Sequence, residues 1–131
     1  MAEYAPIPQH VNDVARDIVD AAIKVHSILG AGLLENVYKL CLAQELVARG
    51  HSVRMEVSLP VEYQGVRLQL GYRIDMLVDE LVIVETKAID ALHPVHDAQV
   101  ITYLKFSGKR LGLLLNFNVT LMKDGIRRLV C

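Results

Sequence analysis

The branched apolar run Leu81-Val82-Ile83-Val84 leads without a break into Glu85-Thr86-Lys87, and no other segment restricts the fold as much. Val, Ile and Thr dominate it, so it reads as a β-strand, and its unbroken apolar character requires cover on both faces. Side chains two apart on a strand share a face, which places Glu85 with Lys87. An ionised Glu and Lys at the end of a buried strand are costly to desolvate unless partners or a metal ion compensate. Upstream, alternation along Tyr72-Arg73-Ile74-Asp75-Met76-Leu77-Val78 puts Ile74, Met76 and Val78 on one face and Asp75, with Arg73 and Leu77, on the other. The Asp79-Glu80 turn between the two runs brings Asp75 opposite Glu85 across an antiparallel ladder. Two facing carboxylates repel each other until a cation binds between them. With Lys87 to steady a water or a developing phosphate charge, the trio has the composition that a Mg²⁺-dependent phosphodiesterase requires. An ordinary ion-pair cluster of the same acids with Arg73 or Lys87 is the alternative.

Composition narrows the classes further. At 131 residues, 53% hydrophobic and 22% charged, the chain is expected to form a single soluble domain over residues 11–131 after a flexible arm over 1–10. Cys41 and Cys131 make neither a disulfide framework nor a zinc cluster. The N-terminal stretch lacks the basic start and apolar core of a signal peptide, and no apolar run approaches the roughly 20 residues that span a bilayer. A cytoplasmic protein with no membrane partner is expected. The formal net charge of −1 argues against a generic nucleic-acid binder, yet its distribution is uneven. From Gln99 onward, Lys105, Lys109, Arg110, Lys123, Arg127 and Arg128 are set against the single acid Asp124. A basic C-terminal part beside an acidic metal site suits a polyanion; solvated surface charge is equally compatible.

The periodicity gives the element order. Val11, Val14, Ala15, Ile18, Ala21, Ala22, Val25 and Ile28 mark an amphipathic helix up to Leu29, ended by Gly30 and Gly32. A second helix runs from Leu34 to Arg49 and stops at Gly50. The period then changes to two: a strand over Val53–Tyr63 crosses Pro60, turns at Gln64-Gly65 and returns as Val66–Val78, bent near Gly71. The strand Leu81–Ala88 follows. Pro94 opens a third helix that reaches Phe106, and strands Leu111–Phe117 and Ile126–Val130 complete the chain. The order ααβββαββ is that of an α/β fold of the α+β type, a mixed sheet flanked by helices.

Three further constellations are open to two readings each. Glu35 lies in the first turn of its helix, where the helix dipole favours a carboxylate, and it is also placed to reach the strand pair; Tyr38 shares its face. Gln99 and Tyr103 stand one turn apart on one helix face, as a surface amide and a core phenol or as a pair that holds a ligand water or a phosphate. His93 and His96 share a helix N-terminus but make a weak zinc motif, with no third Cys or His nearby; His96 reads better as a cap or a supporting donor.

Taken together, these segments strongly resemble the GxxExxY proteins, a prokaryotic family of the PD-(D/E)xK nuclease superfamily, along nearly the whole chain. The name-giving motif is Gly32, Glu35 and Tyr38; Tyr72–Val78, Val82–Ala88, Pro94–Gln99 and Leu111–Phe117 also follow the family pattern. The resemblance implies a restriction-endonuclease-like core and a metal-dependent nuclease that hydrolyses DNA, or RNA, with Mg²⁺ or Mn²⁺. It implies that Asp75, Glu85 and the Thr86 backbone carbonyl bind the metal, that Lys87 completes the catalytic set and that Glu35 joins from the helix. The Gln99-x-x-x-Tyr103 spacing is similar to a motif of the RecB-like branch. A homodimer or a partner protein, and a catalytically weak binding module that keeps the fold, are the remaining expectations. No proline precedes Asp75, and Thr86 stands where the superfamily more often has a hydrophobic residue.

Overall fold

Because β-branched apolar residues fill Val82–Val84, that strand is driven to the middle of the sheet, and Glu85 and Thr86 after them are buried too. A computed structural model describes residues 5–131, the side chain of Leu70 excepted. Its elements are α1 (Gln9–Leu29), α2 (Glu35–Ala48), β1 (Val53–Tyr63), β2 (Val66–Val78), β3 (Val82–Lys87), α3 (Pro94–Ser107), β4 (Leu111–Asn116), a 3₁₀ turn (Met122–Gly125) and β5 (Ile126–Val130). The expected order is therefore the observed one. Residues 1–4 of the expected arm lie outside the described residues, and its last two positions are helical, with the Pro8 carbonyl accepting the Val11 and Asn12 N–H groups at 3.0 and 3.2 Å. No helix among the described residues is long and apolar enough to cross a membrane.

The sheet has the order β1-β2-β3-β4-β5. All neighbours pair antiparallel except β3 and β4, which are parallel and joined by α3 as a crossover. One face carries Met76, Val78, Val82, Val84, Leu111, Leu113 and Leu115 against α1 and α2; the other packs Leu77, Ile83 and Leu114 against Val100, Tyr103 and Leu104 of α3. Burying each such side chain is worth about 1.5–3 kcal/mol. Gly112 lets α3 lie close, since a Cβ there would meet Val100 Cγ1 at 2.7 Å. The expected bend of β2 at Gly71 is a close approach to β1: a Cβ at that residue would stand 1.9 Å from the Leu59 carbonyl oxygen.

One expectation fails. Ile74 packs with Leu77 toward α3, whereas Met76 and Val78 pack toward α1 and α2, so Ile74, Met76 and Val78 do not share a face. The β1–β2 register pairs Met55 with Met76 and Val57 with Ile74 but skips Glu56 and Asp75, and Glu56 has φ 52°. A left-handed residue rotates the pleat, and the simple alternation of faces is lost there. The β2–β3 ladder, tied by a turn with Asp79 and Glu80 at φ 54° and 58°, extends only from Val78–Val82 to Met76–Val84. Beyond it the two strands part.

The loop before α2 is fixed by Tyr38. Its buried hydroxyl donates to the Gly30 carbonyl at 2.6 Å and accepts the Leu33 N–H at 3.0 Å, and its ring stacks on Phe117 with centroids 4.7 Å apart. Tyr38→Phe leaves two backbone groups without this partner and is expected to lower unfolding stability by about 1–3 kcal/mol in a denaturant titration; an unchanged midpoint would show that the loop is held elsewhere.

Candidate active site

The parting of β2 and β3 sets the site. The register Met76–Val84 continues to Asp75 opposite Glu85, and there side chains replace the ladder. The Asp75 N–H donates to Glu85 Oε1 at 2.9 Å, and the Thr86 N–H donates to Asp75 Oδ2 at 2.9 Å. The Thr86 hydroxyl adds a bond to the same Oδ2 at 3.1 Å. Each carboxylate thus holds the other strand's backbone, and the two are brought together as the sequence suggests. The hydroxyl at position 86, where an apolar residue would have served as well on the sequence argument, orients Asp75. Glu85 is 4% exposed. Burial first, and then the Asp75 charge, pushes its carboxyl up to about 8, against the pull of the Asp75 N–H and Lys87.

From α2, Lys39 enters this acidic pocket, a residue that the sequence reading missed. It is 8% exposed, and its Nζ lies 2.8 Å from Glu56 Oε1 and 3.4 Å from Asp75 Oδ1. Although burial opposes its charge, the bonds to Glu56 and the charge of Asp75 prevail and hold the ammonium above the usual lysine range. The available signal was its spacing: Lys39 follows Glu35 by one helical turn, so both project from the same side of α2. Glu35 is half-buried, and its carboxyl is raised by burial and then by Asp75, with Lys87 and Lys39 opposing. It shares the electrostatic field of the strand carboxylates.

The remaining side of the pocket is built by β4 and α3. Lys87, half-buried at the end of β3, pairs with Asn116, and its carbonyl accepts the Phe117 N–H at 2.9 Å. Asn116, 2% exposed, clamps the chain after Lys87: its amide accepts the Ile89 N–H at 3.1 Å and donates to the Ile89 carbonyl at 3.0 Å. Tyr103 reaches in from α3. Burial and then the charges of Glu85 and Asp75 push its phenol up, and Gln99 beside it acts the other way. Tyr103 thus feels the charge of the carboxylates, while Gln99 also lines an open surface cavity with Tyr72, His96 and Thr102.

A family profile described as PD-(D/E)XK nuclease superfamily matches residues 12–129. The chain belongs to that superfamily. No curated protein and no solved structure matches it. Membership in the nuclease superfamily fits the restriction-endonuclease-like sheet and gives the chain a nuclease-type domain.

How well the Asp75–Glu85 site suits a metal follows from its donors. Among the described residues, no three His, Cys, Asp or Glu side chains converge on one point, so Glu35 does not complete a three-carboxylate cage, nor do His93 and His96 form a zinc site. The His96 ring nitrogen instead accepts the His93 N–H at 2.9 Å and caps α3. A buried and a half-buried carboxylate that repel each other, Glu85 and Asp75, do suit Mg²⁺, which keeps several waters and takes only one or two protein carboxylates. The basic residues are less well placed than their sequence position implied. Lys109 and Arg110 precede β4, and parallel pairing with β3 puts them at the end of the sheet opposite Lys87. Arg110 bonds the Cys131 carbonyl, Arg127 pairs with Asp97 at 2.7 Å, and Arg128 donates to Asn12. Lys123, in the turn after β4, stands at the site's end.

The raised carboxyl of Glu85 has a measurable consequence in metal-free protein. Its folded value lies above the usual 4.5, so the folded chain holds this proton more tightly than the unfolded chain does. The stability contributed by the protonated form is lost as pH rises from about 5 toward 8. Thermal unfolding in EDTA across that range should show a steeper decline for the parent than for Glu85→Gln; parallel declines would count against a buried Glu85.

Proposed function

We propose that this chain is a metal-dependent nuclease of the GxxExxY type that hydrolyses phosphodiester bonds in DNA. The observation that supports it is the convergence of Asp75, Glu85 and Lys87 where β2 and β3 separate, with a carboxyl pushed up to about 8 by burial beside a like charge. Asp75, Glu85 and the main-chain carbonyl of Thr86 would hold Mg²⁺ or Mn²⁺. That ion would supply Lewis-acid polarisation of the scissile phosphate and of a water.

The chain's own groups do the rest. Thr86 and the Asp75 N–H fix both carboxylates before substrate arrives, so little reorganisation remains. Lys87, on the face of Glu85, orients the attacking water and offsets the charge that develops on the phosphate. Asn116 keeps Lys87 at that place by fixing the backbone after it. Gln99 and Tyr103 donate hydrogen bonds to a phosphate oxygen; with its phenol pushed up, Tyr103 stays protonated and acts as a donor, not a base. Glu35 tunes the field from α2, and Lys123 meets the nucleic-acid backbone without reading bases.

A second reading, a binding module without useful catalysis, draws on the Lys39 ammonium at Asp75. One assay separates the two. Purified protein is incubated with single- and double-stranded DNA and RNA in Mg²⁺ or Mn²⁺, beside Lys87→Ala and Glu85→Gln. The nuclease reading expects cleavage of DNA that falls by about 100-fold or more in each variant and stops in EDTA. Cleavage that persists in both variants would mark a contaminant, and intact substrates throughout would favour the binding module.

A further inference from the structure

We infer that Lys39 is a resident counter-cation for Asp75, which a divalent ion must displace onto Glu56 before it binds, so that the Lys39–Glu56 pair sets the metal affinity of the site. This rests on the reading of Asp75 and Glu85 as metal ligands. Asp75 Oδ2 already accepts the Thr86 N–H and hydroxyl, and Glu85 Oε1 already accepts the Asp75 N–H. The oxygen of Asp75 that remains is Oδ1, and the Lys39 ammonium stands 3.4 Å from it. A divalent ion bonded to Oδ1 would lie within a few ångströms of a like charge in a poorly solvated pocket. The ammonium and the ion therefore exclude each other at that atom.

The displaced ammonium has somewhere to go. Glu56 Oε1 is the nearer partner, at 2.8 Å, and its side chain is 43% exposed, so it meets solvent as well as Lys39. Glu56 is also the residue at φ 52° where β1 breaks register with Asp75. The distorted strand thus sets a second acid beside the lysine, outside the pair that meets the metal. Without metal, Lys39 offsets the charge of Asp75 at the fork where β2 and β3 part. With metal, Glu56 retains the lysine and leaves Asp75 free.

The test is a calorimetric titration of Mn²⁺ into the full chain, without nucleic acid, for the parent, Lys39→Met, Glu56→Gln and the double variant. Lys39→Met is expected to bind Mn²⁺ about tenfold tighter or more, and to gain more thermal stability on Mn²⁺ addition than the parent does. Glu56→Gln, which leaves the lysine only Asp75, is expected to bind more weakly. In the Lys39→Met background, Glu56→Gln is expected to have no further effect, since no ammonium is left to displace. Circular dichroism checks folding, and Lys39→Gln carries the same expectation should the Met variant not fold. Unchanged or weaker binding in both Lys39 variants overturns the inference. So does an equal loss from Glu56→Gln in both backgrounds, which would mean a through-space charge effect alone. If the parent binds no Mn²⁺, or Asp75→Asn leaves binding unchanged, the metal reading itself falls; binding that Asp75→Asn abolishes, with unaltered Lys39 variants, overturns only the role of Lys39.

Discussion

Two exchanged hydrogen bonds, from the Asp75 N–H to Glu85 and from the Thr86 N–H to Asp75, hold together everything that makes this molecule more than a packed sheet. A backbone group at the point where strands separate must find a partner or be solvated. Here carboxylates take that role, so the same atoms that end the β2–β3 ladder are the acids of the site. The arrangement is costly because Glu85 is buried beside another acid. It persists because the sheet around it is packed on both faces and the ladder on its closed side fixes the register.

The fork draws its neighbours into a charge balance. Two lysines approach from different directions: Lys87 from the end of β3 and Lys39 from α2. Glu35 and Glu56 lie around them, so four acids, Asp75, Glu85, Glu35 and Glu56, are set against these two lysines. Lys39 divides its pairing between two of these acids, Glu56 and Asp75. Tyr38, which holds the loop before α2 against Phe117, determines where Glu35 and Lys39 can stand. The glycine, glutamate and tyrosine of the motif thus do separate jobs: Gly32 turns the chain at φ 93°, Glu35 faces the acids, and Tyr38 anchors the loop.

Much of the fold was legible because its signals are local. The 3.6-residue period of Val11–Ile28, the period-two stretches around Pro60 and the apolar Leu111–Leu115 each follow from which face must be buried. Opposition of Asp75 and Glu85 was legible too, since a short turn at Asp79-Glu80 leaves little freedom of register. The failures share one cause. Ile74 was assigned to the wrong face because alternation assumes an even pleat, and the left-handed Glu56 that breaks it sits on another strand. Lys39 went unnoticed because its acids lie 17 and 36 residues further along the chain. Lys109 and Arg110 looked like part of a nucleic-acid surface until the parallel pairing of β4 put them at the far end.

The elements, their order and the facing of Asp75 on β2 with Glu85 and Lys87 on β3 follow from local pattern, because periodicity and a short hairpin act within a few residues. Which charges meet those acids depends on the three-dimensional packing, since the approach of α2 and α3 to the fork is set by the entire sheet. Contact between groups far apart in the chain is a property of that packing, and no local pattern encodes it.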